Sequence, residues 1–253
     1  MPAFKIATWN VNGIRARAGQ VVDFIAAERP DVLCLQEIKA TSDQIPGLLL
    51  GLEGYAPCWH GQGTKGYSGV ALHVREDLAA SAPVRYPPFD FECRAVTREV
   101  SGIAVASIYV PNGGKDFDAK MRFLDEMIEF AARFEAAGTP LVICGDLNVA
   151  HTDRDVHPKE RKRVVGQLPE ERERFDRLLA AGLVDVGRAL HPDDEEYFTW
   201  WAPWRNMRQR NIGWRLDYVL ASRDLAGRAL TCYSQREVGT SDHGPVVATF
   251  EWP

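Results

Sequence analysis

Short apolar runs punctuate the chain, and each ends on side chains suited to holding cations or phosphate. FKIATWNVNG closes on Asn10 and Asn12, DVLCLQE on Gln36 and Glu37, IAVASIYVPN on Tyr109 and Asn112, and LVICGDLN on Asp146 and Asn148. WRLDYVLAS starts a further run at Asp217, and SDHGPVVATF sets Asp242 and His243 just ahead of the last one. Such β-branched runs, bounded by turn formers, predict buried strands. Between them the period changes. Residues 118 to 137 put Met121, Leu124, Ile128 and Ala131 on one helical face and stop at Gly138, with Pro140 beyond. A second helix is expected to open at Pro169, with Glu170 and Glu171 in its first turn where the helix dipole favours them, and to end at Gly182. The hairpin-length spacing in GYSGVALHV requires antiparallel neighbours as well. The pattern predicts an α/β protein with layered, mixed sheets.

Taken singly, Asn, Asp and Gly at a strand end are ordinary turn formers. Six such ends are another matter, because clustered carboxylates are costly unless a cation or a shared substrate compensates. Several strands are therefore expected to deliver their polar ends to one mouth of the fold.

Composition narrows the setting. At 253 residues and 45% hydrophobic, with no Pro-rich or Ser/Gly-rich linker, the chain is expected to bury a large core and to form one domain over 1–253. A net charge of −5 gives nucleic acid no global attraction, so any polyanion site must be local. The five cysteines are odd in number and lack CxxC spacing, the usage of a reducing compartment. No signal-like N-terminus and no apolar run of roughly 18 residues is present, so a cytoplasmic, membrane-free protein is expected, nucleoid-associated if bacterial.

The local exception is WWAPWRNMRQRNIGWR, residues 200 to 215, with four Arg, four Trp and no acid. Interleaved cations and aromatics are a nucleic-acid footprint, against the plainer reading of a solvated loop. KERKRVVGQL, residues 159 to 168, reads equally as a charged surface loop or a phosphate contact.

The ordered set WNVNGIRA (9–16), LQEIK (35–39), YVPNGG (109–114), GDLNVAH (145–151), GWRLDYVLAS (213–222) and SDHGPV (241–246) resembles the exonuclease III family of apurinic/apyrimidinic (AP) endonucleases. That family lies within the endonuclease/exonuclease/phosphatase superfamily. The resemblance implies a four-layer α/β sandwich, two mixed β-sheets packed face to face with helices on the outside. It implies Glu37 as the principal ligand of Mg2+, with Mn2+ as a substitute, Asn10 and Asn12 supporting that shell or the phosphate, and Asp242 beside the metal through water. Some relatives carry Asp at the position of Asn12, which leaves one or two ions open. Asp146 resembles the residue that activates the attacking water or, by a competing scheme, protonates the leaving group, with Asn148 orienting it. His243, held by Asp217, would stabilise charge on the phosphate. Tyr109 and Asn112 would hydrogen-bond the same group.

In relatives the region equivalent to 200–216 enters the minor groove and forms a pocket for an extruded baseless sugar, which costs less to flip than a normal nucleotide. Trp200, Trp214 and Leu216 would line that pocket, and Arg205 would contact DNA. Trp204 falls where some relatives place a groove-inserting methionine, and Lys115 where some place an arginine. Arg161 and Val164 fall where relatives turn asparagines toward the site. The implied function is a magnesium-dependent, monomeric AP endonuclease that cuts duplex DNA 5′ to an abasic site to leave a 3′-hydroxyl, with 3′-to-5′ exonuclease and 3′-end cleaning as further activities. Two other readings stay open: a phosphodiesterase acting on RNA or phospholipid, and a DNA-binding relative without catalysis.

Overall fold

A computed structural model describes residues 3–61, 66–79 and 82–251. Strands β1 (Ala3–Asn10), β2 (Val32–Gln36), β3 (Tyr55–His60), β4 (Val70–Arg75), β10 (Ala229–Ser234) and β11 (Val246–Glu251) form one sheet in the order β10-β11-β1-β2-β4-β3. Strands β5 (Ala95–Val100), β6 (Ile103–Tyr109), β7 (Leu141–Asp146), β8 (Leu183–Asp185) and β9 (Asp217–Ser222) form the other, in the order β5-β6-β7-β9-β8.

Alternation decides the layers. Phe4, Ile6, Cys34, Leu72 and Phe250 of the first sheet meet Val96, Val105, Val142, Cys144 and Val219 of the second in one dry core. Their strand neighbours point outward. Ala7, Trp9, Leu33 and Leu35 pack beneath helix α1 (Ile14–Glu28) and the short α2 (Gly47–Leu50). Ala106, Ile108, Ile143 and Leu220 pack beneath α3 (Phe117–Ala137) and α4 (Pro169–Ala180). The predicted helix–sheet–sheet–helix sandwich is the observed one.

Each sheet has one parallel pair, and the rest of its ladder is antiparallel. β1 and β2, joined through α1, run parallel with Asn10 beside Gln36; β6 and β7, joined through α3, run parallel with Tyr109 beside Asp146. A parallel pair puts both carboxyl ends on the same rim. β9 runs against β7, so its first residue, Asp217, lies opposite Asp146. β11 runs against β1 with Val246 opposite Thr8, which leaves Asp242 and His243 on that rim too.

Helix α3 starts on the Asp116 carboxylate, which accepts the Ala119 amide at 2.8 Å, and ends on Gly138 in the left-handed region. Its buried stripe is Lys120, Met121, Phe123, Leu124, Met127, Phe130 and Ala131. The stripe lies about one position earlier than the predicted face, so Ile128 is half-buried and Lys120 is inside. Gly145 is not a turn residue: it sits within β7, where a Cβ would lie 1.8 Å from the Ile108 carbonyl oxygen of β6.

Two outcomes follow from this packing. Gly145→Ala should cost on the order of 3 kcal/mol by urea unfolding, since a rigid carbonyl must move to admit the methyl; an unchanged midpoint would refute the close approach. His73 on β4 is fully buried, with an edge contact to Trp59 and, among the described residues, no hydrogen-bond partner for either ring nitrogen. Burial alone pulls it from 6.5 down to about 4. The unfolded chain thus takes up a proton there first, and stability present above pH 6.5 is lost as pH falls toward 4, by roughly 3 kcal/mol. His73→Leu should flatten that part of the pH–stability curve relative to wild type.

Candidate active site

The rim where the parallel pairs end gathers the polar residues from both sheets. From the first come Asn10, Asn12 and Glu37. The Asn10 amide donates to Glu37 Oε1 at 3.0 Å and to Asp146 Oδ2 at 2.9 Å, bridging the two halves of the sandwich. Asn12 donates to Asp242 Oδ1 at 2.8 Å and accepts Lys39 Nζ on its own oxygen at 2.6 Å. Lys39 also pairs with Glu37 Oε2 at 2.6 Å. Asn12 and Glu37 both stand in the left-handed region, at φ 44° and 50°, which strand-end geometry alone does not require.

From the second sheet come Tyr109, Asp146, Asn148 and Asp217. Asp146 is 1% exposed. Its Oδ1 accepts the Asn148 backbone amide at 2.9 Å, and the Asn148 side chain donates to the Val110 carbonyl at 2.9 Å. His243 Nδ1 meets Asp217 Oδ2 at 2.8 Å, and its Nε2 faces Asp146 Oδ2 at 3.8 Å. Thr199 donates to the same Asp217 oxygen at 2.6 Å and accepts the Leu216 and Asp217 amides, so the carboxylate cannot rotate away from the ring.

These contacts set the charges. Burial pushes the Asp146 carboxyl up; His243 opposes this, while Asp217 and Glu37 add to it. Burial works against an imidazolium at His243, but Asp217 and Asp146 prevail and raise it to about 10. Glu37 is lowered: burial would raise it, and Lys39 and Asn10 more than offset that. Asp242 is lowered against burial by His243, Asn12 and Trp200. Tyr109 is raised by burial and by Glu37 and Asp146, so it stays a phenol.

Donor atoms of Glu37, Asp146 and His243 lie within 4.8 Å of one another, a spacing that a metal ion would suit. The protonated His243 offers no lone pair, and Asp146 is engaged by Asn10 and Asn148. The donors left are Glu37 and Asp242, both ionised, with the amide oxygens around them. That hard oxygen set fits a divalent cation, and the Lys39 ammonium already resting on Glu37 and Asn12 shows that the position attracts positive charge.

Against this polar wall stands an apolar one. A cavity of about 290 Å³ is lined by Glu37, Tyr109, Asn112, Asp146, Asn148, Asp242 and His243 on one side and by Val165, Gly166, Trp200, Trp214 and Leu216 on the other. Trp200 and Trp214 face each other edge to face at 5.4 Å. Trp200 Nε1 donates to Asp242 at 3.0 Å, whereas the buried indole N–H of Trp214 has no partner among the described residues. Lys115 is exposed at the rim with its ammonium 5.8 Å from the Tyr67 ring.

Several expectations need correction. The 200–215 segment is only partly a surface. Trp201 is core, Arg208 is tied to the Arg236, Val238 and Ser241 carbonyls, and Arg215 is buried between Asp155 and Asp185 at 2.7 Å. Trp204, 59% exposed, with Arg205 and Arg210, forms its outer face. In the 159–168 run neither Arg161 nor Val164 faces the cavity: Arg161 folds back onto the Asp153 and Val156 carbonyls, and Val165 with Gly166 lines the wall. Thr199, Lys39 and Lys120 were missed. Thr199 and Lys39 are neighbours of Trp200 and Glu37 in sequence, and Lys120 shares a helical stripe with Phe123, Leu124 and Met127.

Residues 7–243 match the model of the endonuclease/exonuclease/phosphatase family. The chain is 38% identical over 254 residues to the DNA repair nuclease APEX1 of Danio rerio, covering 96% of this chain and 80% of that one. It is 34% identical over 249 residues to an exodeoxyribonuclease of Bacillus subtilis, covering 96% and 97%. It spans only 37% of a longer relative, recombination repair protein 1 of Drosophila melanogaster, at 34% identity over 97% of this chain. The structure of an AP endonuclease from Archaeoglobus fulgidus superposes with a TM-score of 0.88 and 30% identity, over 98% of this chain and all of the other.

The charge arrangement predicts a titration. Because its folded value is raised, His243 contributes stability that is complete below about 6.5 and is lost as pH rises through about 10. Its ring nitrogens, followed by NMR, should show no transition between pH 6 and roughly 8.5 in the metal-free wild type, and Asp217→Asn should bring the midpoint down into that range. A wild-type midpoint near 6.5 would contradict the ion pair.

Proposed function

The chain belongs to the endonuclease/exonuclease/phosphatase family and is a hydrolytic nuclease, and on that premise we propose that it is a DNA repair AP endonuclease. The observation that carries the reading is the cavity with two unlike walls: a carboxylate–imidazolium–phenol set faces two tryptophans and Leu216. A phosphodiester beside an apolar, baseless sugar matches that division, whereas a paired nucleotide would have to bring its base along.

In this reading Asn112, the Tyr109 hydroxyl and the His243 imidazolium hold the non-bridging oxygens of the phosphate 5′ to the lesion and stabilise the charge that develops there. Asp146, raised by burial, takes a proton from water as its oxygen bonds to phosphorus. The P–O3′ bond breaks, O3′ takes a proton from solvent and leaves as the upstream 3′-hydroxyl, and the phosphate stays with the baseless sugar. Asn148 fixes the Asp146 carboxylate for this work, and Asp217 keeps the His243 Nε2 proton pointed into the site. Magnesium, held by Glu37 with Asn10, Asn12 and Asp242 supporting, would supply neutralising charge at the phosphate. No Ser or Cys nucleophile is needed. Trp204, Arg205 and Lys115 serve as duplex contacts outside the cavity. The name of the Bacillus relative favours a second activity of the same site, exonucleolytic removal of nucleotides from DNA.

The deciding assay uses a fluorescent duplex with one abasic analogue, beside an intact duplex and a recessed 3′ end. Incision on the 5′ side of the lesion should stop with chelator and return with magnesium; cutting that persists without metal would overturn the cofactor assignment. Asp146→Asn should lower incision about 1000-fold while duplex affinity stays within threefold, and full activity in that variant would refute its role.

A further inference from the structure

Lys120 and Glu171 form an ion pair with no exposure on either side chain. Neither belongs to the proton-transfer or phosphate-binding set. Removing two charges from water is costly unless every lone pair and proton is used, and here they are. The Lys120 ammonium donates to Glu171 Oε1, to the Asn148 carbonyl at 2.6 Å and to the Asn112 carbonyl at 3.3 Å. Glu171 accepts the Gly166 amide on both oxygens, at 2.9 and 2.7 Å, and the Leu168 amide at 2.9 Å. Burial draws the Lys120 ammonium down, and the attraction of Glu171 opposes it.

The two carbonyls and two amides so tied belong to three separate segments, all of which border the cavity. Asn112 follows β6, Asn148 follows β7, and Gly166 and Leu168 lie at the end of the 159–168 run. Asn148 is held at φ 52° while its carbonyl points at Lys120 and its side chain contacts Asp146 at 3.4 Å. Gly166 lies under Trp214, where a Cβ would meet the indole at 3.0 Å. Gly113, at φ 85°, leaves the space a Cβ would take from Lys120.

We propose that the buried Lys120–Glu171 pair is a positioning device for the nuclease site: it sets the pose of Asn148, and so of Asp146, relative to the apolar wall at Gly166 and Trp214. The pair touches no substrate. It acts on the rate of the chemical step and leaves duplex affinity nearly unchanged. The inference rests on the nuclease reading above, but its structural half is independent of the substrate.

The test replaces both charges together. A buried pair exchanged for apolar residues of similar volume often keeps stability, whereas removing one partner strands the other. In Lys120→Met/Glu171→Met, kcat on abasic duplex should fall on the order of 100-fold with KM little changed, the melting temperature should drop because the Asn148, Asn112, Gly166 and Leu168 backbone groups lose their partners, and the Asn148 and Asn112 side-chain amide signals should shift while the Trp9 indole signal stays. Normal kcat with unmoved Asn148 signals would overturn the inference. If the double variant does not fold, Glu171→Gln carries the test, with a lowered kcat and shifted Asn148 signals expected and unchanged values decisive against it. A wild type that cuts no abasic duplex would refute the substrate reading alone; the amide signals still decide the positioning role.

Discussion

A buried imidazolium between two buried carboxylates is the interaction on which the candidate site depends. Asp146 and Asp217 face each other across the β7–β9 ladder, where two desolvated negative charges would repel strongly. His243, delivered by a different sheet, supplies the positive charge that makes the pair tolerable. Thr199 adds a second donor to the Asp217 oxygen that His243 holds, and Asn10 and the Asn148 amide take one Asp146 oxygen each. In the proposed mechanism the same charge that steadies the strand ends meets the incoming phosphate, so stability and anion affinity would come from one group.

The sandwich explains how these residues meet. Each sheet contributes one parallel pair, and the two pairs face each other with their carboxyl ends on a common rim. Antiparallel neighbours β9 and β11 then bring their beginnings to that rim. Asn10 on β1 touches Asp146 on β7, so the polar site doubles as the seam between the sheets at that edge. The apolar wall is built separately, from segments joined by the Trp200–Trp214 and Trp200–His243 bridges.

Much of this was readable in the chain. Glu37, Asp146, Asp217 and His243 each follow or open an apolar run, because strand ends and turn residues are local properties, whereas the four layers came from the family resemblance. What failed was non-local. Arg215 and Arg208 look like surface cations among tryptophans, yet Asp155 and Asp185 in one case and three carbonyls in the other draw them inside. Trp201 is aromatic like Trp204 but packs with Phe198 and Ile212. Lys120 offered a cue, since it continues the stripe of Phe123 and Met127, but its partner Glu171 lies on another helix. Charge pairing at such distances leaves no periodic trace.

The position of β11 carries a consequence for the order in which the molecule is made. This strand is inserted between β10 and β1, and the segment just before it brings Asp242 and His243. During synthesis, therefore, Asn10, Glu37 and Asp146 emerge long before the imidazolium that reconciles them and before the strand that joins β1 to its neighbour. A chain made only as far as β10 holds Asn10, Glu37 and Asp146 but not the imidazolium, so the charge arrangement of this rim is complete only once the segment ahead of β11 has been added.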